Sequence, residues 1–181
     1  MIVHGLVSRL SEDVDLFTPD VREVADLRDQ LIARLRADGL TVKVVRDYTS
    51  FVELSVDDGK ETLRVEIALD SRIREPVRLG IGAVLAPEEL AADKTLALFG
   101  RAYARDLVDV AALGDRLGLP RLMTLAADKD PGFHRSRFAE ALRVAADEPE
   151  AEFRRLGLSE DQVAALRGWA RRWAEDLALG S

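Results

Sequence analysis

Cysteine is absent from this 181-residue sequence, and histidine, tryptophan and tyrosine occur only twice each. The absence of cysteine excludes a disulfide framework and any zinc site built on thiolates. No apolar run approaches the roughly 18 residues that a membrane-spanning helix needs, and the N-terminal sequence lacks the basic leader of a signal peptide. We therefore expect a soluble, cytoplasmic protein that has no membrane partner.

The sequence also has no excess of basic residues. It contains 26 Lys and Arg residues and 33 Asp and Glu residues, which gives a formal net charge of −7. This balance argues against binding nucleic acid over a broad surface. Two local arginine clusters remain, one formed by Arg72, Arg74 and Arg78 and the other by Arg101 and Arg105. A phosphate-rich partner is therefore expected only at such local patches.

The first half of the chain mixes strand and helix patterns. The periodicity predicts a strand over 13–17, a helix over 20–38, strands over 41–46, 50–56 and 61–69, and a shorter strand over 81–85. Thr18 and Pro19 are expected to begin the helix as its N-cap and first-turn proline, and Gly39 to end it. Asp58-Gly59 predicts a hairpin turn between the last two long strands.

After Pro87 the sequence becomes helical in character. Five helices are predicted, over 87–99, 104–118, 120–130, 132–147 and 159–179. The acidic, proline-containing segment 147–152 is the nearest approach to a linker. The fold class expected is α+β, with a small mixed or antiparallel sheet and flanking helices over 1–86, followed by a helical region over 87–181.

Two carboxylates stand two residues apart in the first predicted strand, within the segment RLSEDVDLF at residues 9–17. Asp13 and Asp15 project to the same face of a strand, with their bases roughly 7 Å apart. Such a pair can hold divalent metal ions, and Mg²⁺ takes its other ligands from water and substrate phosphates. Glu66, on the polar face of a nearby strand, could supply a third carboxylate. The alternative is a solvated face that binds nothing, with Glu66 in a cross-strand ion pair.

A second group of charged residues follows helical spacing between Lys94 and Leu113. Lys94 and Arg101 share a helix face, and Arg105, Asp106 and Asp109 come after them. Lysine is a compact charge suited to a phosphate. Asp109 could orient that lysine or act as a general base on an attacking hydroxyl. The alternative is a helix edge with surface ion pairs, each worth less than about 1 kcal/mol.

Together the two segments resemble the AbiEii-type nucleotidyltransferases, which include the MenT toxins of bacterial toxin–antitoxin systems in the DNA polymerase beta-like superfamily. The resemblance covers residues 1 to about 115 and rests on R-x-S-x-D-x-D-L-F at 9–17 and K-x-x-x-L-x-x-R-x-x-x-R-D-x-x-D-x-x-x-L at 94–113. It implies a nucleotidyltransferase sheet, completed by the helical region, that transfers a nucleotide from an NTP to an acceptor. In MenT-like members the acceptor is the tRNA 3′ end, and a cognate antitoxin counteracts the toxin.

The resemblance also implies roles for individual residues. Asp13 and Asp15 match catalytic, metal-binding carboxylates, and Glu66 falls where the superfamily places its third carboxylate, so that the three would hold Mg²⁺. Lys94 matches the lysine that contacts the triphosphate. Asp109 matches the catalytic acidic residue that closes the second motif.

Four further positions match supporting residues of the family's nucleotide site: Arg9, Ser11, Arg105 and Asp106. One feature departs from the family pattern. A Gly-Gly-Ser/Thr stretch, whose backbone N–H groups cradle the triphosphate, precedes the first aspartate of the family by about a dozen residues. This sequence begins after that point, so the core over 1–86 is expected to be N-terminally incomplete relative to the family.

Two other functions stay open at this point. A catalytically impaired homologue that binds nucleotide or a protein is favoured by the missing Gly-rich stretch. An antibiotic-modifying nucleotidyltransferase would need an acidic surface for a cationic acceptor, whereas a tRNA acceptor needs a basic one. The arginines at 72, 74 and 78 favour the phosphate-rich acceptor.

Overall fold

The computed structural model describes residues 13–179, so Arg9 and Ser11 lie outside the described residues. The described chain divides into two compact units. Residues 13–72 form the sheet unit, and residues 73–179 form the helical unit. The functional division predicted at residue 86 stays a prediction.

The sheet unit contains four strands and one helix: β1 (Asp13–Thr18), α1 (Val21–Ala37), β2 (Thr41–Tyr48), β3 (Phe51–Asp57) and β4 (Thr62–Leu69). The strands lie in the order β1-β4-β3-β2. β1 runs parallel to β4, and the other neighbouring pairs are antiparallel. The sheet is therefore mixed, which confirms the predicted fold class.

The start of α1 differs from the prediction. Asp20 is the N-cap, and its carboxylate accepts a hydrogen bond from the Arg22 backbone N–H at 2.9 Å. The predicted cap, Thr18, is wrong because this residue ends β1, where its buried hydroxyl donates to the Glu23 carboxylate. Gly39, with φ of 87°, follows the helix as predicted.

Helix α1 packs on one face of the sheet. The core of this unit is aliphatic and consists of Val24, Val42, Val52, Leu54, Val56, Val65 and Ile67. Burying each such side chain stabilises the fold by roughly 1.5–3 kcal/mol. A one-residue slip of a strand would expose this set, so the core fixes the register. Because strand side chains alternate, the residues between them lie on the opposite face.

The helical unit begins with a short hairpin of β5 (Val77–Leu79) and β6 (Gly82–Val84), and β6 confirms the strand predicted near residue 81. Six helices follow: α2 (Pro87–Arg101), α3 (Ala104–Leu117), α4 (Leu119–Lys129), α5 (Arg135–Ala146), α6 (Glu150–Arg155) and α7 (Glu160–Leu179). The segment 147–152, the nearest approach to a linker in the sequence, lies within the helical unit, and its second half begins α6 at Glu150. Phe153 of α6 is fully buried and anchors this acidic segment to the core.

The core of the helical unit gathers one face of each long helix. On α3 it takes Leu107, Val110 and Leu113, at helical spacing. A Cβ at Gly114 would lie 3.1 Å from the Trp169 ring, so glycine allows α3 to approach α7 closely. Between residues 13 and 179, no helix combines the length and apolar character that crossing a bilayer requires.

Candidate active site

A row of charged residues crosses all four strands on the face of the sheet opposite α1. Asp15 on β1 pairs in register with Glu66 on β4, and Glu66 pairs with Glu53 on β3. Glu53 in turn pairs with Arg46 on β2, whose Nε donates to the Glu53 carboxylate at 2.6 Å. We call these four residues the acidic row. It brings three carboxylates side by side, with one arginine at its end.

The neighbouring row contains Asp13, and Arg64 lies in register beside it. The Nη2 atom of Arg64 donates to Oδ2 of Asp13 at 2.5 Å, and its Nε lies 3.5 Å from Oε1 of Glu66. The hydrogen bond to Asp13 raises the pKa of Arg64. This guanidinium therefore contacts two of the three predicted metal ligands, although sequence reasoning gave it no role.

Glu66 is a carboxylate of the acidic row whose pKa is raised. Burial raises the pKa of Glu66, and the charges of Asp15 and Glu53 add to that effect, against the lowering influence of Arg64. Carboxylates this close repel one another, and a cation between them removes the repulsion. Burial is the main cause of the raised pKa, and the repulsion by Asp15 and Glu53 is a smaller contribution.

The donor set tests whether a divalent cation fits here. Asp13, Asp15 and Glu66 project from adjacent positions of β1 and β4 to one face, and all three offer hard carboxylate oxygens. Mg²⁺ binds through one to a few carboxylates and keeps water or substrate oxygens as its other ligands. The donor atoms are therefore of the kind that Mg²⁺ takes, but in this structure the half-exposed Arg64 side chain is bound to Asp13 and would have to turn away before a cation could bind there.

The second cluster lies in the helical unit, where α2 and α3 meet. Nζ of Lys94, on α2, lies 3.0 Å from Oδ2 of Asp109, on α3. The Asp109 side chain is 1% exposed, whereas that of Lys94 is 27% exposed. A buried carboxylate thus contacts a lysine whose side chain is partly exposed, and a lysine ammonium group is suited to binding phosphate.

Asp106, one turn before Asp109 on α3, organises the junction between α2 and α3. Its buried carboxylate accepts hydrogen bonds from Nε and Nη2 of Arg101 at 2.8 and 2.7 Å, and a longer one from the Tyr103 N–H at 3.4 Å. These hydrogen bonds raise the pKa of Arg101. Arg105, the other predicted residue here, places its guanidinium 5.8 Å from the centre of the Tyr103 ring.

Sequence reasoning placed Arg101 on the Lys94 helix face and gave Tyr103 no role. The structure explains the contact by the backbone at Ala102, which follows α2 and has a left-handed conformation with a φ of 54°. That break turns the chain so that Arg101 reaches Asp106 of the next helix. The sequence predicts the end of one helix near residue 99 and the start of the next at 104, but not the direction of the turn between them, so it does not show this contact.

The third predicted feature, the arginines at 72, 74 and 78, is divided between the two units. Arg72 donates to the backbone oxygen of Phe17 at 2.7 Å and so ties down the end of β1 in the sheet unit. Arg74 belongs to the helical unit and donates to the backbone oxygen of Ile73 at 2.7 Å. Arg78 lies in β5. Two of the three guanidinium groups are thus engaged with backbone carbonyls.

Comparison with known proteins gives one family and a set of similar folds. Residues 1–178 match the family model described as nucleotidyl transferase AbiEii toxin, type IV TA system. No curated protein sequence matches the chain.

Two solved structures illustrate the similarity in fold. JHP933 from Helicobacter pylori superposes with a TM-score of 0.65 and 17% identity, over 96% of this chain and 78% of that one. The nucleotidyltransferase toxin MenT4 from Mycobacterium tuberculosis gives a TM-score of 0.60 and 23% identity, over 96% of this chain and 70% of that one. At such identities the likeness shows the fold alone.

Proposed function

Because the chain belongs to the AbiEii family of nucleotidyl transferase toxins, we propose that it transfers a nucleotide from an NTP to an RNA acceptor such as the tRNA 3′ end. The membership confirms the resemblance found in the sequence, and with it a nucleotidyltransferase of toxin–antitoxin type. The family implies a nucleotide substrate and an antitoxin partner. The RNA acceptor, the use of Mg²⁺ and the roles of individual residues are our proposals.

The observation that carries the proposal is the in-register pairing of Asp15 with Glu66, with Asp13 on the same face. These three carboxylates would hold Mg²⁺, which when bound neutralises the negative charge that develops on phosphate oxygens during transfer. The charges of Asp15 and Glu53 act against ionisation of Glu66, and a bound cation would offset that repulsion.

The reaction is an in-line displacement at phosphorus. The oxygen of the acceptor hydroxyl forms a bond to the α-phosphorus of the NTP, the bond from that phosphorus to the bridging oxygen breaks, and pyrophosphate leaves. The hydroxyl proton passes to a carboxylate that acts as general base. Lys94 binds the triphosphate, and Asp109 orients the lysine ammonium through the 3.0 Å contact.

The test is the intact mass of purified tRNA after incubation with the protein, Mg²⁺ and each NTP in turn. We expect one NTP to add whole nucleotides to the RNA, and Asp13→Ala to remove that gain. Unchanged RNA mass with all four NTPs would contradict the proposal. A parallel incubation with an aminoglycoside tests the alternative of an antibiotic-modifying enzyme. That alternative predicts that the mass of the antibiotic increases and the mass of the RNA does not.

A second prediction concerns Arg64. Its guanidinium and a divalent cation compete for oxygens of Asp13 and Glu66, so Arg64→Ala should tighten binding of the cation about fivefold, by removing a competitor and a nearby positive charge. Mn²⁺ serves as the probe, because the electron paramagnetic resonance of free Mn²⁺ reports binding without any turnover.

The matched control for this measurement is Arg34→Ala, which removes an exposed arginine of α1 from the other side of the same sheet. It should leave Mn²⁺ binding unchanged. Weaker Mn²⁺ binding by Arg64→Ala would mean that the arginine supports the metal site instead of competing for it.

A further inference from the structure

Tyr103, at the junction of α2 and α3, presents a half-exposed ring between two arginines. The ring is 50% exposed. The guanidinium carbons of Arg101 and Arg105 lie 5.6 and 5.8 Å from its centre. Both distances fall within the range of cation–π attraction, which draws the two positive charges towards the ring.

The buried carboxylate of Asp106 holds Arg101 and the backbone of Tyr103 in place. Asp106, 1% exposed, accepts two hydrogen bonds from Arg101 and a longer one from the backbone N–H of Tyr103. Asp106 is buried whereas the Arg101 side chain is half-exposed, so the two hydrogen bonds hold that guanidinium in one place at the surface. Asp106 therefore preorganises one guanidinium and the backbone that carries the ring.

An open depression lies beside the ring. Its volume is about 440 Å³, and its lining includes Tyr103, Arg105, Arg155, Glu148 and Glu152. This volume lies in the range of small-ligand sites. The lining offers an aromatic face and the Arg105 guanidinium, groups that stack on nucleobases, whereas Arg155 and Glu152 are paired with each other at 2.7 Å.

We propose that Tyr103, with Arg101 and Arg105, is a stacking platform for an unpaired base of the RNA acceptor. This inference rests on the proposed function and names how its acceptor is held. Single-stranded RNA is bound by stacking its bases on aromatic rings while arginines contact the phosphates. A stacking platform binds RNA locally, so it needs no broadly basic surface and agrees with a net charge of −7.

The position of the platform on α3 supports an acceptor role. Arg105 and Asp109 are four residues apart on α3 and therefore share one face of the helix. Tyr103 precedes Asp109 by six residues, about 9 Å along a helix axis. The platform and the Lys94–Asp109 pair, to which the proposed function gives the triphosphate, thus lie less than two helical turns apart along α3.

The test measures binding of RNA and of NTP separately. Fluorescence anisotropy of a labelled single-stranded RNA of about ten nucleotides gives the RNA Kd for the full chain without turnover. We expect Tyr103→Ala to raise this Kd roughly 5- to 100-fold, and Tyr103→Phe to stay within about twofold of the wild type. Affinity for NTP should be unchanged in both variants.

Tyr48→Ala is the matched control. Tyr48 is the other tyrosine of the chain and is 62% exposed on β2 of the sheet unit. Its loss should leave the RNA Kd unchanged. Thermal melting of every variant shows whether it is folded, and circular dichroism of Tyr103→Phe compared with Tyr103→Ala reveals any loss of helix at the junction.

The other outcomes overturn either the platform or the proposed function, and they can be told apart. Equal RNA binding by wild type and Tyr103→Ala, or no RNA binding at all, removes it. Loss of NTP affinity instead of RNA affinity assigns the ring to the incoming nucleotide. Nucleotide transfer that ignores Tyr103 would leave the proposed function intact without the platform, whereas RNA binding that depends on Tyr103 but without transfer would keep the platform and reject the function.

Discussion

Asp15→Asn should lower nucleotide transfer at least about 10³-fold while leaving the protein folded. The substitution keeps the shape of the side chain and removes one charged ligand from the in-register pair with Glu66. Metal-assisted charge stabilisation contributes several kcal/mol to a transition state, and each 1.36 kcal/mol is a tenfold change in rate. Initial rates of radiolabelled NMP incorporation into RNA, at saturating Mg²⁺, measure the effect.

The same substitution should not lower stability, and this separates a catalytic role from a structural one. The charge of Asp15 helps to raise the pKa of Glu66, so its removal relieves repulsion within the acidic row. We therefore expect a Tm equal to or slightly above that of the wild type. A structural carboxylate would show the opposite pattern, with a lowered Tm and a rate that recovers when the temperature is reduced.

The control for Asp15→Asn is Asp26→Asn, an identical chemical change on the exposed side of α1. Because α1 packs on the face of the sheet opposite the acidic row, Asp26→Asn should retain full transfer activity. Retention of more than about a tenth of the wild-type rate by Asp15→Asn would contradict the metal-site assignment.

The acidic pair on β1 could be predicted because strand alternation is a local rule. Two residues at spacing two must share a face once the segment is a strand, and the apolar partners Val65 and Ile67 fix the face of Glu66 in the same way. The roles of these residues stay predictions. What the local rule supplies is a common face for the three carboxylates.

Which strands are neighbours in the sheet, by contrast, could not be predicted from local sequence patterns. β1 pairs with β4, some fifty residues further along the chain, and this pairing puts Arg64 against Asp13 and Glu66 against Asp15. The sequence of neither segment indicates which strand lies beside it in the sheet. Arg64 and Glu53 were therefore missed, although each lies on the polar face that alternation predicts.

The junction of α2 and α3 shows a different limit. The residues from Lys94 to Asp109 follow helical spacing closely enough to predict one charged face. The break between the helices predicted over 87–99 and 104–118 is present in the structure, where α2 ends at Arg101 and α3 begins at Ala104. The pattern does not show how the chain turns at Ala102, the turn that lets Asp106 and Asp109 of α3 bind Arg101 and Lys94 of α2. Glycine is the residue that favours a left-handed conformation, so an alanine does not indicate that turn.

The largest expected change in stability comes from breaking a buried ion pair in the helical unit. Nζ of Lys129, on α4, donates to Oε1 of Glu89, on α2, at 2.7 Å, and the two side chains are 4% and 0% exposed. The other oxygen, Oε2, accepts the backbone N–H groups of Ile73 and Arg74 at 2.8 Å each. Glu89 thus ties two helices and the start of the unit together.

Lys129→Met should lower the free energy of unfolding by about 3–5 kcal/mol, because it leaves the buried Glu89 charge without its ammonium partner. For a chain of this size each kcal/mol is worth about 2–4 °C, so Tm should fall by roughly 10 °C. Urea unfolding, followed through Trp169 and Trp173 of α7, reports on this unit. Glu140→Gln, an exposed change on α5, is the control and should leave unfolding unchanged.

The pair also predicts how stability depends on pH. Burial opposes ionisation of Glu89, but the hydrogen bonds from Lys129 and from the backbone of Ile73 and Arg74 keep its pKa below the ordinary value of 4.5. A carboxylate whose pKa is lowered by folding stabilises the protein above the unfolded value. Its contribution is lost as the pH falls from about 4.5 through the lowered folded value.

Glu89→Gln isolates this contribution. The variant should be less stable than the wild type at pH 7, and the difference between the two should shrink as the pH falls below about 4.5. The measurement is the urea midpoint of both proteins from pH 7 to pH 3. A constant difference over that range would mean that Glu89 acts through packing and neutral hydrogen bonds, and that its charge does not hold the helices together.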